Sequence, residues 1–179
     1  MKVLSGIYKG RKLLPPKDLK IRTTGAMVKE AVFGKLQFEI AGSGFLDLFG
    51  GSGAIGIEAL SKNAEEVVIA DSSAKAIKLI RDNLTRIDAD CTVLQGDYKA
   101  ILKQLQGRKF DFIYADPPYA LEIIDDILDL AYEFDVIKVG GIVIYEHLRE
   151  KVLNYKHNHY ILIDEKHYSS VTVSYLKRT

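Results

Sequence analysis

Short apolar runs alternate with longer amphipathic segments from Phe45 to Glu146, and this alternation restricts the fold more than any other feature. The apolar runs predict strands at residues 45–49, 66–70, 91–95, 110–115 and 141–146. The segments between them predict helices at about residues 53–62, 73–87, 97–106 and 121–134. Apolar strands separated by such helices are typical of a parallel sheet covered on both faces.

Two further strands are predicted at residues 159–167 and 171–177, joined through Ser169 and Ser170 as an antiparallel hairpin. The hairpin would close one edge of the sheet and bring the number of predicted strands to seven. The sequence therefore predicts one doubly wound α/β domain, which we place at residues 23–179.

Residues 1–22 are predicted to form a small basic arm in front of this domain. Residues 2–14 alternate loosely between apolar and basic or small positions, which predicts a short β-hairpin. Such a ribbon is too small to be stable alone, so we expect it to lean on the main domain.

The first helix is predicted from Thr23 and Thr24, which can cap it, to about Gln37, with Lys29 at the margin of its apolar stripe. Residues 1–35 carry nine basic and two acidic side chains, a net +7 in a chain whose total net charge is +1, which leaves −6 for the rest. This asymmetry favours an anionic partner such as nucleic acid; a solvated lysine-rich face is the alternative.

The single cysteine, Cys91, cannot form an internal disulfide, which favours a reducing compartment. No apolar run approaches the roughly twenty residues that a membrane span requires, and no leader opens the chain. We therefore expect a cytoplasmic protein.

A glycine-rich loop, Asp47-Leu48-Phe49-Gly50-Gly51-Ser52-Gly53, follows the first strand of the alternating region. Residues 51–56 also match the G-x-G-x-x-G pattern, and Asp71 follows the next strand, so a nicotinamide-dependent oxidoreductase is one alternative. The carboxylate of Asp47 disfavours it, because a pyrophosphate requires neutral or positive surroundings. The same carboxylate favours S-adenosylmethionine, which carries a sulfonium and an ammonium cation, and Asp-x-Phe-Gly-Gly-x-Gly is a familiar methyltransferase donor motif.

The glycine-rich loop at residues 47–53 is called the donor loop. Several side chains in and around it have an expected part in binding S-adenosylmethionine. The glycines let the main chain turn sharply and approach the ligand. Asp71 can accept hydrogen bonds from the two ribose hydroxyls. Asp97 can accept from the adenine amino group with Tyr98 flanking the ring, although capping of the following helix is an alternative part for Asp97. The predicted cofactor-binding residues are Asp47, Phe49, Gly50, Gly51, Gly53, Asp71, Asp97 and Tyr98.

A second loop, Asp116-Pro117-Pro118-Tyr119, follows the strand at residues 110–115, at the end where open α/β sheets bind ligands. The exocyclic amine of a nucleobase is a poor nucleophile, because its lone pair is delocalised into the ring. Asp116 and the Pro117 carbonyl can accept from its two N–H groups and leave the lone pair facing a methyl donor, while the prolines hold that carbonyl rigidly. Tyr119 offers a ring on which a flipped base can lie. A plain Pro-Pro turn is the structural alternative, which the donor loop upstream disfavours.

Nearly the whole chain resembles the RsmD-type methyltransferases. The matching segments are Ser5 to Leu13, Val28 to Phe33, the donor loop extended through Ser61, the Asp-Pro-Pro-Tyr loop and the strand from Tyr168 to Tyr175. The resemblance implies a Rossmann-like class I S-adenosylmethionine-dependent enzyme that methylates the exocyclic N2 of one guanine, guanine 966, in 16S ribosomal RNA. It implies 16S rRNA or the assembling small ribosomal subunit as partner, and we expect a monomer.

The same resemblance assigns RNA contacts to Tyr8, Lys9, Arg11, Lys12 and Arg22. One segment departs from the family. Before the first helix the family usually reads Arg-Pro-Thr-x-Asp-Arg, whereas this chain has Arg-Thr-Thr-Gly-Ala-Met at residues 22–27. The departure affects the expected substrate contacts there more than the chemistry.

Three alternatives to this function deserve comparison. A DNA adenine-N6 methyltransferase also uses Asp-Pro-Pro-Tyr, but one that reads a sequence usually adds a recognition domain. A protein-glutamine methyltransferase would more often have asparagine in place of Asp116. A non-catalytic RNA-binding module would need only the basic arm, and the intact aspartates disfavour it. We predict no metal site, since His157 and His159 alone supply too few ligands.

Overall fold

The computed structural model describes residues 1–16, 25–118, 121–151 and 157–179. The strands are β1 (Gly44–Asp47), β2 (Glu66–Asp71), β3 (Thr92–Gln95), β4 (Phe110–Ala115), β5 (Ile137–Leu148), β6 (Tyr160–His167) and β7 (Val171–Arg178). The helices are α1 (Ala26–Lys35), α2 (Ala54–Ser61), α3 (Ala74–Ile87), α4 (Tyr98–Gln104) and α5 (Ile124–Glu133). No helix in these described ranges is long and apolar enough to cross a membrane.

The seven strands form one sheet in the order β3-β2-β1-β4-β5-β7-β6. Strands β1 to β5 pair in parallel, whereas β7 pairs antiparallel with both β5 and β6. The predicted seven-stranded sheet with its closing hairpin is confirmed. The strand order reverses between β1 and β4, and open α/β sheets bind ligands beyond the carboxyl ends of their strands at such a point.

Side chains along each parallel strand alternate between two cores. On β1, Phe45 packs into the core shared with α1, α2 and α3, whereas Leu46 packs into the core shared with α4 and α5. On β4, Phe112 and Ile113 alternate in the same way. Because both faces are covered, most inner positions of these strands are apolar, and the sequence therefore has apolar runs rather than a strict alternation.

Strand β5 is longer than the 141–146 strand predicted from the sequence. It begins at Ile137, and its pairing with β4 shifts between Phe110 and Phe112. Gly140, with a φ of 81°, lies within this irregular stretch. The prediction began too late because glycines interrupt the apolar run and are depleted in regular strands.

The N-terminal segment, residues 1–16, packs on the main domain. Lys2 and Lys12 form a single antiparallel bridge, so the predicted hairpin is reduced to one pair in the described part of the arm. Val3 and Leu13 are buried in the core shared with the first three helices. The proposed boundary of the arm at residue 22 lies outside the described residues.

A buried ion pair fastens this segment to the domain. Lys29 was expected at the margin of the helix stripe, but it is only 4% exposed and its Nζ lies 2.9 Å from Oε2 of Glu58. The same Nζ donates to the Lys2 carbonyl at 3.0 Å, and Glu58 accepts from the backbone N–H groups of Leu4 and Ser5. The prediction that Lys29 lies at the margin of the apolar stripe is therefore wrong. Its charge can be buried because Glu58, a carboxylate from α2, neutralises it.

Candidate active site

Four aspartates lie at the carboxyl ends of four neighbouring strands. In sheet order, β3, β2, β1 and β4 end at or just before Asp97, Asp71, Asp47 and Asp116. Asp47 pairs with Tyr114 across β1 and β4, and the N–H of Leu48 donates to the Tyr114 carbonyl at 2.9 Å. The donor loop and the Asp-Pro-Pro loop therefore start from adjacent strand ends.

Two glycines of the donor loop occupy positions that other residues cannot easily take. Gly53, which caps the start of α2, has a φ of 80°. A Cβ on Gly50 would lie 2.5 Å from Cγ2 of Ile69, because the Gly50 N–H donates to the Ala70 carbonyl at 2.7 Å. The loop is thus held against the end of β2.

The carboxyl group of Asp47 lies buried under this loop. Its Oδ2 accepts a hydrogen bond from the N–H of Gly56 at 2.9 Å. Burial raises the pKa of Asp47 to about 7; the hydrogen bond from Gly56 opposes this shift, and the negative charge of Asp71 adds to it. A cation beside Asp47 would favour its ionised form, so this carboxyl group suits a positively charged ligand.

Both carboxylate oxygens of Asp71 hold local backbone. Oδ2 accepts from the N–H of Gly51 at 2.9 Å, and Oδ1 accepts from the N–H of Ser73 at 2.8 Å. A carboxylate has about four acceptor positions, so these bonds leave capacity for ligand hydroxyls. Contact between Asp71 and a ribose stays a prediction.

Asp97 caps helix α4, which was the alternative to adenine binding predicted for this residue. Its Oδ1 accepts from the N–H of Lys99 at 2.9 Å. Tyr98 is buried, its ring centroid lies 6.0 Å from that of Phe49, and its hydroxyl donates to Asp126 at 2.9 Å. Phe49 and Tyr98 thus pack together at the margin of the core shared with α4 and α5, and contact of Tyr98 with the adenine stays a prediction.

The Asp-Pro-Pro loop is described as far as Pro118. Asp116 is half-buried, Pro117 is buried and Pro118 is exposed. The Pro118 carbonyl accepts from the N–H of Leu121 at 2.8 Å, which turns the chain towards α5. The predicted stacking residue Tyr119 lies outside the described residues.

A pocket opens beside Pro117, and the carboxyl end of β5 forms much of its wall. The lining residues are Pro117, Leu121, Glu122, Tyr145, Glu146, His147, Leu148 and Lys151. The sequence reasoning assigned no function to Glu146 or His147. The signal available was their position at the end of the strand that follows the Asp-Pro-Pro-Tyr loop, but only the pairing of β5 with β4 places them beside it.

The described residues of the predicted RNA-binding surface lie on the outer turn of the N-terminal segment. Lys9, Arg11 and Lys12 are exposed, and Tyr8 is partly buried against the core. Arg86 of α3 donates to the Lys12 carbonyl at 3.1 Å, which fixes the backbone and leaves the lysine side chain outside. Arg22 lies outside the described residues.

Comparisons with known proteins cover almost the whole chain. A family model described as conserved hypothetical protein 95 matches residues 1–177. The putative rRNA methyltransferase YlbH of Bacillus subtilis is 34% identical over 154 residues, which cover 84% of this chain and 84% of that protein. Ribosomal RNA small subunit methyltransferase D of Haemophilus influenzae is 29% identical over 170 residues, which cover 93% of this chain and 88% of that protein.

Solved structures share the fold. A putative methyltransferase, yhhF, from Escherichia coli superposes with a TM-score of 0.89 at 24% identity, covering 99% of this chain and 97% of that one. A putative methyltransferase complexed with SAH superposes with a TM-score of 0.70 at 14% identity, covering 83% of this chain and 49% of that one. These likenesses agree with the Rossmann-like architecture described above.

Proposed function

The chain belongs to the conserved hypothetical protein 95 family, in agreement with the RsmD-type resemblance of its motifs, and on this premise we propose that it methylates ribosomal RNA with S-adenosylmethionine. The proposed target is the exocyclic N2 amine of a guanine in 16S rRNA, guanine 966 by resemblance, either in free rRNA or in the assembling small subunit. The enzyme would act in the cytoplasm as a monomer.

One observation carries the proposal: the donor loop and the Asp-Pro-Pro loop start from adjacent parallel strands, with Asp47 paired to Tyr114. Methyl transfer needs the amine nitrogen in line with the bond between sulfur and the methyl carbon, and nearly in contact with that carbon. Neighbouring strands lie about 4.8 Å apart, so loops that start from their ends can hold two ligands nearly in contact. Motifs on distant strands could not.

The residues of the donor loop fit S-adenosylmethionine, which would supply an electrophilic methyl group on sulfonium. Asp47 provides a carboxyl group whose ionisation a nearby cation would favour. Asp71 would accept from the ribose, Asp97 from the adenine amine, and Phe49 and Tyr98 would flank the ring. Gly50, Gly51 and Gly53 keep the backbone close to the ligand.

On the acceptor side, Asp116 and the Pro117 carbonyl would each accept a hydrogen bond from the target amine. These bonds would hold the nitrogen lone pair towards the donor and stabilise the positive charge that develops on the amine. Tyr119 would stack on the flipped base. Tyr8, Lys9, Arg11, Lys12 and Arg22 would contact RNA phosphates and bases.

The test is methyl transfer from labelled S-adenosylmethionine to small ribosomal subunits, naked rRNA and duplex DNA. We expect label in the rRNA, on guanine N2 by mass analysis of the digested nucleosides. Label in duplex DNA alone would support the adenine alternative, and no label in any substrate would contradict the proposal.

The variant Asp116→Ala should keep its affinity for S-adenosylmethionine within about threefold and lose about 100-fold or more in kcat, because the lost contact acts on the amine. Asp82→Ala, on the exposed face of α3, is the matched control and should keep normal turnover. Normal turnover by Asp116→Ala would show that the catalytic assignment is wrong.

A further inference from the structure

A second carboxylate lies beside the Asp-Pro-Pro loop, on strand β5. Ala115 and Tyr145 are paired across β4 and β5, so Asp116 and Glu146 are the next positions of two adjacent parallel strands. Glu146 is 1% exposed and shares the wall of one pocket with Pro117. The base that presents its amine to Asp116 would therefore meet Glu146 with the neighbouring part of its edge.

The side chain of Glu146 accepts a hydrogen bond from a buried neighbour, and its backbone is paired within the sheet. The hydroxyl of Tyr114, itself buried, donates to Oε2 of Glu146 at 2.8 Å. The backbone of Glu146 lies inside the antiparallel ladder with β7, opposite Val173. The Tyr114 hydroxyl fixes the orientation of a group that offers about four acceptor positions.

The atom next to the exocyclic amine distinguishes the nucleobases. In guanine the ring nitrogen N1 beside the N2 amine carries a hydrogen and is a donor. In adenine and cytosine the ring nitrogen beside the amine is unprotonated and is an acceptor. A carboxylate beside the amine site accepts from the first and repels the lone pair of the others.

The geometry points to Glu146 as the residue that selects guanine, by accepting the N1–H while Asp116 and the Pro117 carbonyl hold the N2 amine. This inference rests on the proposed function and adds to it the residue that reads the base. Glu146 touches the base but not the transferred methyl group, so it determines specificity. If Glu146 were only the structural partner of Tyr114, its substitution would leave the base preference unchanged.

The experiment uses 2-aminopurine, which keeps the amine at C2 but has an unprotonated N1 and no oxygen at C6; the change of preference in a Glu146 variant isolates the part that depends on N1. Mass analysis of the wild-type reaction first locates the methylated guanine, and RNA is then made with guanosine or 2-aminopurine riboside at that position. The wild-type enzyme should prefer guanine by about 100-fold or more in kcat/KM, because a site built to accept a hydrogen rejects an analogue that lacks it. Equal use of both bases would overturn the inference without any variant.

The variant Glu146→Gln replaces one acceptor by an amide NH₂, which can donate to the unprotonated N1. Its preference for guanine over 2-aminopurine should fall by about tenfold or more. Glu66→Gln is the matched control, because Glu66 also accepts a side-chain hydrogen bond, from Arg108, but lies at the amino end of β2, and its preference should stay at the wild-type value. An unchanged preference in Glu146→Gln would overturn the inference and indicate a structural part.

Failure of the inference and failure of the proposed function are distinguishable. If wild-type enzyme places no methyl group on guanine N2, the proposed function fails and the inference fails with it. If guanine N2 is methylated but the two base preferences do not differ between wild type and Glu146→Gln, only the assignment of Glu146 fails.

Discussion

Asp47 is a carboxyl group whose surroundings work against its charge. It is buried, its Oδ2 is bonded to the N–H of Gly56, and burial raises its pKa to about 7 from 3.8. Because the folded protein holds this proton more tightly than the unfolded chain does, the contribution of Asp47 to stability is fully present below about pH 4. It is lost as pH rises to about 7, by about 1.4 kcal/mol per pH unit.

The variant Asp47→Asn should remove this pH dependence, since asparagine has no proton to lose and its side-chain oxygen can still accept from Gly56. The free energy of unfolding of wild type relative to the variant, from urea titrations, should fall by about 2 to 3 kcal/mol between pH 5 and pH 7. His147, whose pKa is lowered by burial, changes stability in the opposite direction, but its effect cancels in this comparison. A difference independent of pH would contradict the prediction.

Helices α1 and α2 are joined to the N-terminal segment through the ion pair of Lys29 and Glu58. Both side chains are almost fully buried, with 5% and 1% exposure, and Glu58 also satisfies two backbone N–H groups of the segment. Burial of two charges is costly, so the pair is tolerated because each member is bonded to the other and to the backbone. Its value to the fold lies in the position it gives to residues 1–16.

The variant Glu58→Ala leaves the charge of Lys29 buried without a counter-charge and should reduce the free energy of unfolding by about 3 to 5 kcal/mol. Adding Lys29→Met should recover part of the loss, because no uncompensated charge then remains. Glu65→Ala, at an exposed position, should change stability by less than about 0.5 kcal/mol. Urea unfolding at neutral pH measures all three, and a loss from Glu58→Ala no larger than that from Glu65→Ala would show that the pair is not needed.

At the scale of the whole molecule, positive charge is concentrated at one end of the chain. Residues 1–35 carry a net +7, and the described basic side chains Lys9, Arg11 and Lys12 are exposed on the segment that Glu58 and α3 hold in place. Such an arrangement would present an electrostatic surface to the proposed RNA substrate.

The double variant Arg11→Ala/Lys12→Ala should weaken RNA binding and reduce the slope of log K against log salt concentration by about 1 to 2, while the affinity for S-adenosylmethionine stays unchanged. Lys103→Ala/Arg108→Ala removes the same charge from exposed positions in α4 and before β4, on the other face of the sheet, and serves as the control. Titrations of RNA at several salt concentrations measure the slopes. Equal slopes in the two double variants would indicate that the arm has no special part in RNA binding.

Local sequence patterns predicted every strand of the sheet and the places of both loops. They succeeded because apolar periodicity, glycines and prolines act over a few residues. They failed at Lys29, whose burial depends on a carboxylate 29 residues away, and at the start of β5, where two glycines lie inside a strand.

The sequence by itself determined the α/β class, the order of strands and helices, and the aspartates that end the strands, because each of these depends on residue types within one short segment. Only the tertiary structure decided which strand ends are neighbours. It thereby placed Glu146 beside Asp116 and Lys29 against Glu58, because strand order in a sheet and the partner of a buried charge are set by packing among segments far apart in the chain.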